Sequence, residues 1–561
     1  MDKKKLINIG LFILFAVVTI GLRLLYLHTD LWYDEACSWV TASQSFPFGI
    51  MDNLKNLDLQ HTPLYFFLLN FWIKLFGDFE VSMRTLSLIF GIATVPIVYI
   101  VASKITSKLQ ALFATALAAA SPVLVLFSVE VRMYPIVVFL VLLSLNYLID
   151  FEQKNDTKSL VKLVIVNLLI PYTLVGGILY NIALFSCYAL YLYNYKKDSL
   201  KKYMTAAGIE FVLLIPYFIL ISYYAKMRSV FVIAHEGNLE FFHVIDVIRN
   251  FFGTLIANNI YWPTQEPYKL TFIFCALVIV PCVYFLYGFI QGRKTIDNKF
   301  VKTLYNIFIV SFCLSVVFSI FKVNVFTVRY ILYLLPPLLI LAIIGLFNKL
   351  SEKHCKIILS LIILAFASYS VYNATPFKSL KTMAFKTVKL ESDKLHLGVD
   401  DMIIMPFGSD APYYFRNLTA PRVFNFDFHK GIRNPYSDIY YDKKQQTKMA
   451  GHLKSLVIYW AVKTDGIFSE NYFNYFISKV NQTVPSGRYV LIAFYGSDVE
   501  SITSIEELRS TIKNEYAVEG RVLEIMFKKY LCDMSVMLNL DFDFIKSFRQ
   551  DNYTFFLYKK K

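Results

Sequence analysis

Long runs of apolar residues constrain this chain more than anything else in its sequence. Stretches such as 6–27 and 331–347 approach the ~20 apolar residues that carry a helix through ~30 Å of hydrocarbon. Lipid offers no hydrogen bonds, so each such run has to satisfy its own backbone as a helix. About eleven segments qualify by length and pattern: 6–27, 85–103, 109–127, 133–150, 159–175, 177–195, 203–223, 269–290, 303–321, 329–347 and 355–372. The fifth and sixth are divided only at Gly176-Gly177. Composition agrees, with 57% of residues hydrophobic and 17% charged, where a soluble domain carries about 25% charge.

The placement of charge gives the bundle a direction. The net charge of +15 gathers on alternate segments: Lys3-Lys4-Lys5, Lys104/Lys108, Lys154/Lys158, Lys196/Lys197/Lys201/Lys202, Arg293/Lys294/Lys299 and Lys349/Lys353/Lys356. Basic short loops stay on the cytoplasmic side. The N-terminus is therefore expected inside and, for an odd number of spans, residues 373–561 outside. Orientation charge accounts for the basic balance, and no nucleic-acid partner is indicated. The lysine-rich start followed by an apolar run resembles a signal peptide, but the run continues through Arg23 without a small-residue cleavage pattern and reads as an uncleaved first span. The seven cysteines show no CxxC and no paired spacing, so neither a zinc site nor a disulfide framework is expected.

Two domains follow: a transmembrane module over 1–372, with extracytoplasmic loops 28–84 and 224–268, and an extracytoplasmic α/β domain over 373–561. Loop 28–84 contains half-apolar stretches, 36–44 and 48–59, suited to short helices on the membrane surface. The tail alternates strand-like runs (402–406, 423–428, 489–495, 553–558) with helical patterns (505–514, 520–530). Asn-x-Thr triplets at Asn373, Asn417, Asn481 and Asn552 are of a kind frequent by chance.

The outside face collects the unusual polar residues. Asp34-Glu35 follows the first span in Asp30-Leu31-Trp32-Tyr33-Asp34-Glu35-Ala36. Paired carboxylates beside aromatic rings at a membrane surface suit a general base; Asp34 could equally be a helix N-cap. His61, before Thr62-Pro63-Leu64, is either turn punctuation or a ligand for an anion. Arg84 lies at the mouth of the second span, where an arginine can simply snorkel to the headgroups. Glu130 and Arg132, in Phe127-Ser128-Val129-Glu130-Val131-Arg132-Met133-Tyr134, would each cost about 2.5–3.5 kcal/mol at mid-bilayer, so they pair, line a cavity or sit at the rim. Arg329-Tyr330 precedes Leu335-Pro336-Pro337; its guanidinium suits bidentate contact with phosphate oxygens or, again, snorkelling.

Together, Asp34-Glu35, His61-x-Pro63-Leu64, Arg84, Glu130-x-Arg132-Met133-Tyr134 and Arg329-Tyr330 resemble the GT-C glycosyltransferases. The nearest branch is that of protein O-mannosyltransferases, lipid A aminoarabinose transferases and bacterial Rgt-type enzymes. The resemblance covers about residues 1–345 and implies a polytopic α-helical membrane fold with a C-terminal soluble domain. It further implies transfer of a sugar from a polyprenyl-phosphate carrier to an acceptor on the non-cytoplasmic face. By resemblance Asp34 is the catalytic base, Glu35 and Glu130 orient acceptor or sugar, and His61, Arg84, Arg132 and Arg329 hold the carrier phosphate, with Tyr134 and Tyr330 in support. The departure is Thr62, where protein mannosyltransferases have His-Pro-Pro-Leu and the aminoarabinose branch has lysine in place of the histidine; the branch therefore stays open.

Such chemistry needs a base, cations for the leaving phosphate and a shielded pocket, and hydroxyl attack opposite the phosphate would invert the anomeric carbon. No cofactor is expected, and a divalent metal is not demanded because Arg and His can neutralise the phosphate. The partners implied are a polyprenyl-phosphate-linked sugar, a glycan, lipid or protein acceptor, and the bilayer. The alternative is a transporter or a lipid or sugar flippase, which would set charges near the midplane of repeated halves. A Lys/Ile/Asn/Phe-rich composition and no endoplasmic-reticulum retention tail favour a bacterial plasma membrane.

Overall fold

Hydropathy becomes helix through most of the first 380 residues. The computed structural model describes residues 3–56, 61–231, 268–320, 328–380, 384–406, 411–414, 422–427, 457–461, 481, 484–495, 541–550 and 553–561. The first helices are α1 (Lys3–Leu27), α2 (Tyr33–Ala42), α3 (Phe48–Asn56), α4 (Pro63–Phe76), α5 (Glu80–Ile105), α6 (Lys108–Ala120), α7 (Pro122–Phe127) and α8 (Tyr134–Lys154). There follow α9 (Thr157–Thr173), α10 (Gly177–Tyr195), α11 (Lys197–Leu213), α12 (Ile215–Phe231), α13 (Tyr268–Thr295), α14 (Lys299–Ile320), α15 (Leu335–Lys349) and α16 (Glu352–Leu380). Among the described residues five helices are long and apolar enough to cross a membrane, or six with the pair α11–α12, which bends by 48°. The chain is a multi-pass membrane protein.

Local sequence explains the breaks. The run expected as one span over 109–127 is two helices, because Ser121 precedes a proline and leaves the helical region (φ −56°, ψ 118°). Its hydroxyl then accepts from Leu124 N at 3.5 Å and starts α7. The division at Gly176-Gly177 is present: a Cβ on Gly177 would stand 2.6 Å from Ile170 Cγ2, so only glycine lets α10 turn back against α9. Loop 28–84 does contain short helices at the two places its pattern indicated, α2 and α3.

A buried polar cluster ties α8 to α11. Asn167 Nδ2 and Asn181 Nδ2 donate to the two Glu210 carboxylate oxygens at 3.3 and 3.2 Å. Ser144 Oγ donates to Asn167 Oδ1 at 2.7 Å, and Tyr180 OH to Ser144 Oγ at 3.0 Å. In an apolar surround each such bond matters mainly because leaving a partner unsatisfied is costly.

Among its described residues the tail holds α17 (Ala384–Lys394), the single turn α18 (Ala411–Tyr414) and a six-stranded sheet in the order β3-β2-β1-β4-β6-β5. The strands are β1 (Met402–Pro406), β2 (Arg422–Asp427), β3 (Val457–Ala461), β4 (Tyr489–Tyr495), β5 (Phe542–Gln550) and β6 (Tyr553–Lys560). Strands β1 to β4 pair in parallel, and β6 and β5 add antiparallel. Met402–Ile404 and Val490–Ala493 are fully buried, as near-continuous apolar runs are in a parallel sheet covered on both faces. The four strand-like runs of the sequence are all strands; β3 and β5 are additional. The helical patterns at 505–514 and 520–530, most of loop 224–268, and Asn417 and Asn552 lie outside the described residues.

The chain divides into two compact units. The first comprises Met1–Thr29, Asp58–Met227 and Glu236–Leu380; the second comprises Asp30–Leu57, Arg228–His235 and Lys381–Lys561. The helices α2 and α3 thus group with the sheet.

Candidate functional site

In the helical unit the site is built on a tight turn, residues 128–133, between α7 and α8. Ser128 N and Val129 N close on Leu124 O and Leu126 O at 3.2 and 3.1 Å, and Arg132 N donates to Glu130 O at 2.7 Å, an i to i+2 closure of the γ-turn kind. The turn lies directly on α5. Ser87 Oγ donates to Arg132 O at 3.0 Å. Gly91 leaves no room to spare, since a Cβ there would stand 2.1 Å from Ser128 Cβ. Glu130 and Arg132 are thereby fixed in a setting where they are 1% and 3% exposed.

A continuous polar and aromatic network runs from this turn. Arg132 Nη2 donates to His61 Nε2 at 2.7 Å. A guanidinium only donates, so this contact assigns His61 the neutral tautomer protonated at Nδ1. Tyr224 OH donates to His61 O at 3.0 Å, and the His61 ring meets Phe66 edge-on at 6.1 Å. Arg132 Cζ lies 5.9 Å from the Tyr134 ring centre; Tyr134 and Tyr330 are 6.2 Å apart; and Arg329 Cζ lies 5.4 Å from the Tyr330 ring. Such cation–ring contacts add about 0.5–2 kcal/mol each. Five residues singled out in the sequence therefore meet: His61, Arg132, Tyr134, Arg329 and Tyr330. Glu130 shares the turn.

Arg84 occupies a different place in the same unit. Fully buried on α5, it donates through Nη1 to Leu27 O at 3.1 Å and to Thr29 O. These are carbonyls at and just beyond the end of α1, which otherwise lack helical partners.

Asp34 and Glu35 belong to the second unit. The helix α2 begins at Tyr33 with Trp32 as its cap residue, so Asp34 is the second helical residue and not the N-cap. Glu35 turns back to accept from Trp32 N at 3.4 Å, and Asp34 O accepts from Ser38 Oγ at 3.0 Å. Glu35 is fully buried and Asp34 half-buried. An acidic first turn suits the positive end of the helix dipole. Around them Asp30 Oδ1 pairs with Lys386 Nζ at 2.6 Å, Leu31 N donates to Tyr414 OH at 2.9 Å, and Trp39 packs edge-on against Tyr413 at 5.3 Å. Two carboxylates are thus held on a helix end braced by α17 and α18. Among the described residues no group of three or more His, Cys, Asp or Glu is placed to hold a metal ion.

Sequence reasoning missed the supports: Ser87, Gly91, Tyr224, Lys386 and Tyr414. One signal was available, because Arg84, Ser87 and Gly91 stand at i, i+3 and i+7, a polar-and-small stripe on one face of an otherwise apolar helix.

This membrane bundle with an appended α/β sheet has the fold of the GT-C glycosyltransferases. It is similar to the ArnT of Cupriavidus metallidurans bound to undecaprenyl phosphate, with TM-score 0.52 and 13% identity over 98% of each chain. It is also similar to that protein in the apo state, with TM-score 0.51 and 12% identity over 86% of this chain and 93% of the other. The oligosaccharyltransferase AglB of Archaeoglobus fulgidus, in complex with an inhibitory peptide and a dolichol-phosphate, aligns with 87% of this chain and 69% of its own at TM-score 0.47 and 13% identity. By sequence, residues 60–223 match the family described as dolichyl-phosphate-mannose-protein mannosyltransferase, a stretch that includes His61, Arg84, Glu130, Arg132 and Tyr134. No curated protein matches the chain.

Proposed function

We propose that this protein is an integral-membrane glycosyltransferase that moves a sugar from a polyprenyl-phosphate carrier to an acceptor hydroxyl on the non-cytoplasmic face, with inversion at the anomeric carbon. The observation that carries this reading is the His61–Arg132–Tyr134–Tyr330–Arg329 network, a buried and a half-buried guanidinium held against aromatic rings, whose first three members lie inside the stretch of mannosyltransferase-family sequence. The ArnT of similar fold was seen bound to undecaprenyl phosphate, and a phosphate monoanion or dianion is what such cations accommodate.

In this reaction the acceptor oxygen forms a bond to the anomeric carbon as the bond from that carbon to the carrier phosphate breaks. The acceptor proton passes to the Asp34 carboxylate, and the electron pair leaves with the phosphate. Arg132 and Arg329 stabilise that developing charge, and His61 keeps the Arg132 fork oriented. Arg84 serves the donor by holding the end of α1, and also as a cation near it. Glu130 and Glu35 orient sugar or acceptor hydroxyls. The enzyme spans the plasma membrane with its N-terminus cytoplasmic and residues 373–561 as an extracytoplasmic domain, and the sugar is a hexose or pentose.

Mass analysis of lipid-linked sugars and surface glycans tests this in a strain lacking the protein. Loss of one glycan substituent with build-up of its lipid-linked precursor is expected, restored by the parent chain and not by Arg132→Ala. Unchanged glycans and carriers would overturn the proposal.

A further inference from the structure

The end of the helical unit away from the His61–Arg132 network holds a cavity that the proposed transfer does not use. Arg84 and Lys104 both stand on α5, near its first and last turns, which separates them by roughly 30 Å at 1.5 Å per residue, about the hydrocarbon thickness of a bilayer. At the Lys104 end a cavity of about 500 Å³ opens between the last turns of α5, α8 and α10 and the first turn of α14. Its deep side is apolar, with Ile149, Phe300 and Val301 all buried. Its rim is polar: Lys104, Gln153, Lys196 and Asn298.

The rim offers donors and few acceptors. Glu152, the one carboxylate in the lining, already accepts from Tyr188 OH at 2.9 Å, Tyr191 OH at 2.7 Å and Lys196 Nζ at 2.6 Å. Lys196 also donates to Glu152 O at 3.1 Å. Lys104 donates to Asn146 Oδ1 at 2.6 Å and Asp150 Oδ2 at 2.9 Å. An ammonium has three N–H groups, so each lysine keeps one. The Asn298 oxygen accepts from Phe300 N and Val301 N at 3.0 and 3.2 Å, which leaves its NH₂ as a donor. With their ion-pair partners counted, Lys104, Lys154 and Lys196 stand against Asp150 and Glu152, which leaves one positive charge in excess around the cavity.

We infer that this cavity seats the phosphodiester headgroup of an anionic phospholipid from the leaflet opposite the candidate site. Basic pockets between transmembrane helices on the positively charged side of a membrane recognise such headgroups. The apolar deep side accommodates the glycerol-ester region, while the lysine and asparagine donors meet the phosphate. On the charge pattern of the loops this is the cytoplasmic leaflet.

The test uses the full chain in dodecyl maltoside micelles, titrated separately with phosphatidylglycerol, phosphatidylcholine and inorganic phosphate. Binding is read by native mass spectrometry and by the thermal unfolding midpoint. Phosphatidylglycerol is expected to bind about tenfold tighter than phosphatidylcholine, and Lys196→Gln to weaken it by about tenfold through loss of one charge-assisted contact. Gln153 is exposed, so Gln153→Trp fills the mouth without touching charge or core and is expected to weaken the lipid similarly. Lys197→Gln removes the same charge outside the lining and is expected to leave affinity within about twofold. Equal binding of the two lipids overturns the inference. So does a Lys197→Gln loss equal to that of Lys196→Gln, which would mean diffuse attraction. A Gln153→Trp variant that folds with unchanged affinity, or inorganic phosphate that protects as well as the lipid, also overturns it; the latter would mean a site for a free anion.

Discussion

Gly91→Ala is the sharpest probe of how the site is positioned. The substitution adds one methyl group to the buried face of α5, where helix propensity alone would favour alanine over glycine by about 0.8–1 kcal/mol. The new Cβ, however, would stand 2.1 Å from Ser128 Cβ, against 3.4 Å for ordinary contact. The turn has to retreat by at least the difference, about 1.3 Å, and the same turn carries Glu130 and Arg132. Displacement of that size at reacting groups costs on the order of 10²-fold in rate, while overpacking costs about 1–3 kcal/mol in stability. The expected result is a protein that still inserts and folds, with an unfolding midpoint a few degrees lower, and with sugar transfer in isolated membranes reduced about a hundredfold.

A second substitution separates this geometry from general damage. Ser128→Gly removes the atom that clashes, and the next nearest atom, Ser128 Cα, stands at 3.1 Å, a distance that a shift of a few tenths of an ångström relieves. The Gly91→Ala/Ser128→Gly pair is therefore expected to recover most of the lost transfer, a non-additivity that only neighbouring groups show. Transfer by Gly91→Ala within threefold of the parent, or a double variant no better than the single, would refute the claim that the turn's seat on α5 positions Arg132.

Asp34→Asn is expected to reduce transfer by about 10²–10⁴-fold at unchanged protein abundance; undiminished transfer would remove Asp34 as the base. Arg329→Ala should raise the donor concentration needed for half-maximal rate by about tenfold or more, the worth of a hydrogen bond to a charged group, and an unchanged donor dependence would count against its phosphate role. Asn181→Leu takes away a donor to Glu210 and leaves a half-buried acceptor less satisfied, so a loss of about 1–3 kcal/mol is expected from the unfolding midpoint in detergent; a neutral result would show that the cluster linking α8 to α11 is not a structural clamp.

The fold was legible in the sequence wherever one physical rule dominated. A bilayer forces apolar runs into helices, and a parallel sheet forces near-continuous apolar strands, so β1 and β4 could be read to the residue and α5 and α8 to within about five residues at each end. The same rule fits β3, whose Val-Ile-Tyr-Trp-Ala run is apolar throughout, whereas in β5 it is weakest. The strand β5 is an edge, exposed along most of its length and bulged between Phe544 and Lys546, and its Phe-Asp-Phe-Ile-Lys-Ser-Phe pattern reads as mixed surface. The single span expected over 109–127 failed for a local reason: hydropathy averages over Ser121-Pro122, whereas the backbone does not.

The candidate site was legible as chemistry and not as geometry. Arg and His in an apolar chain stand out because their burial needs a partner, and the network that joins His61 to Arg329 is the partner set those residues required. What hydropathy and motif cannot supply is who holds the network in place. Arg84 illustrates this: a motif arginine reads as a phosphate ligand, yet its Nη1 spans the carbonyls of Leu27 and Thr29, a task fixed by where α1 ends in space. The same holds for Ser87 and Gly91, whose contribution is to let a turn lie flat on a helix. The residues most diagnostic of the chemistry are thus polar exceptions in an apolar sequence, while those that give it geometry are small residues inconspicuous in sequence, visible only as a stripe on one face of α5.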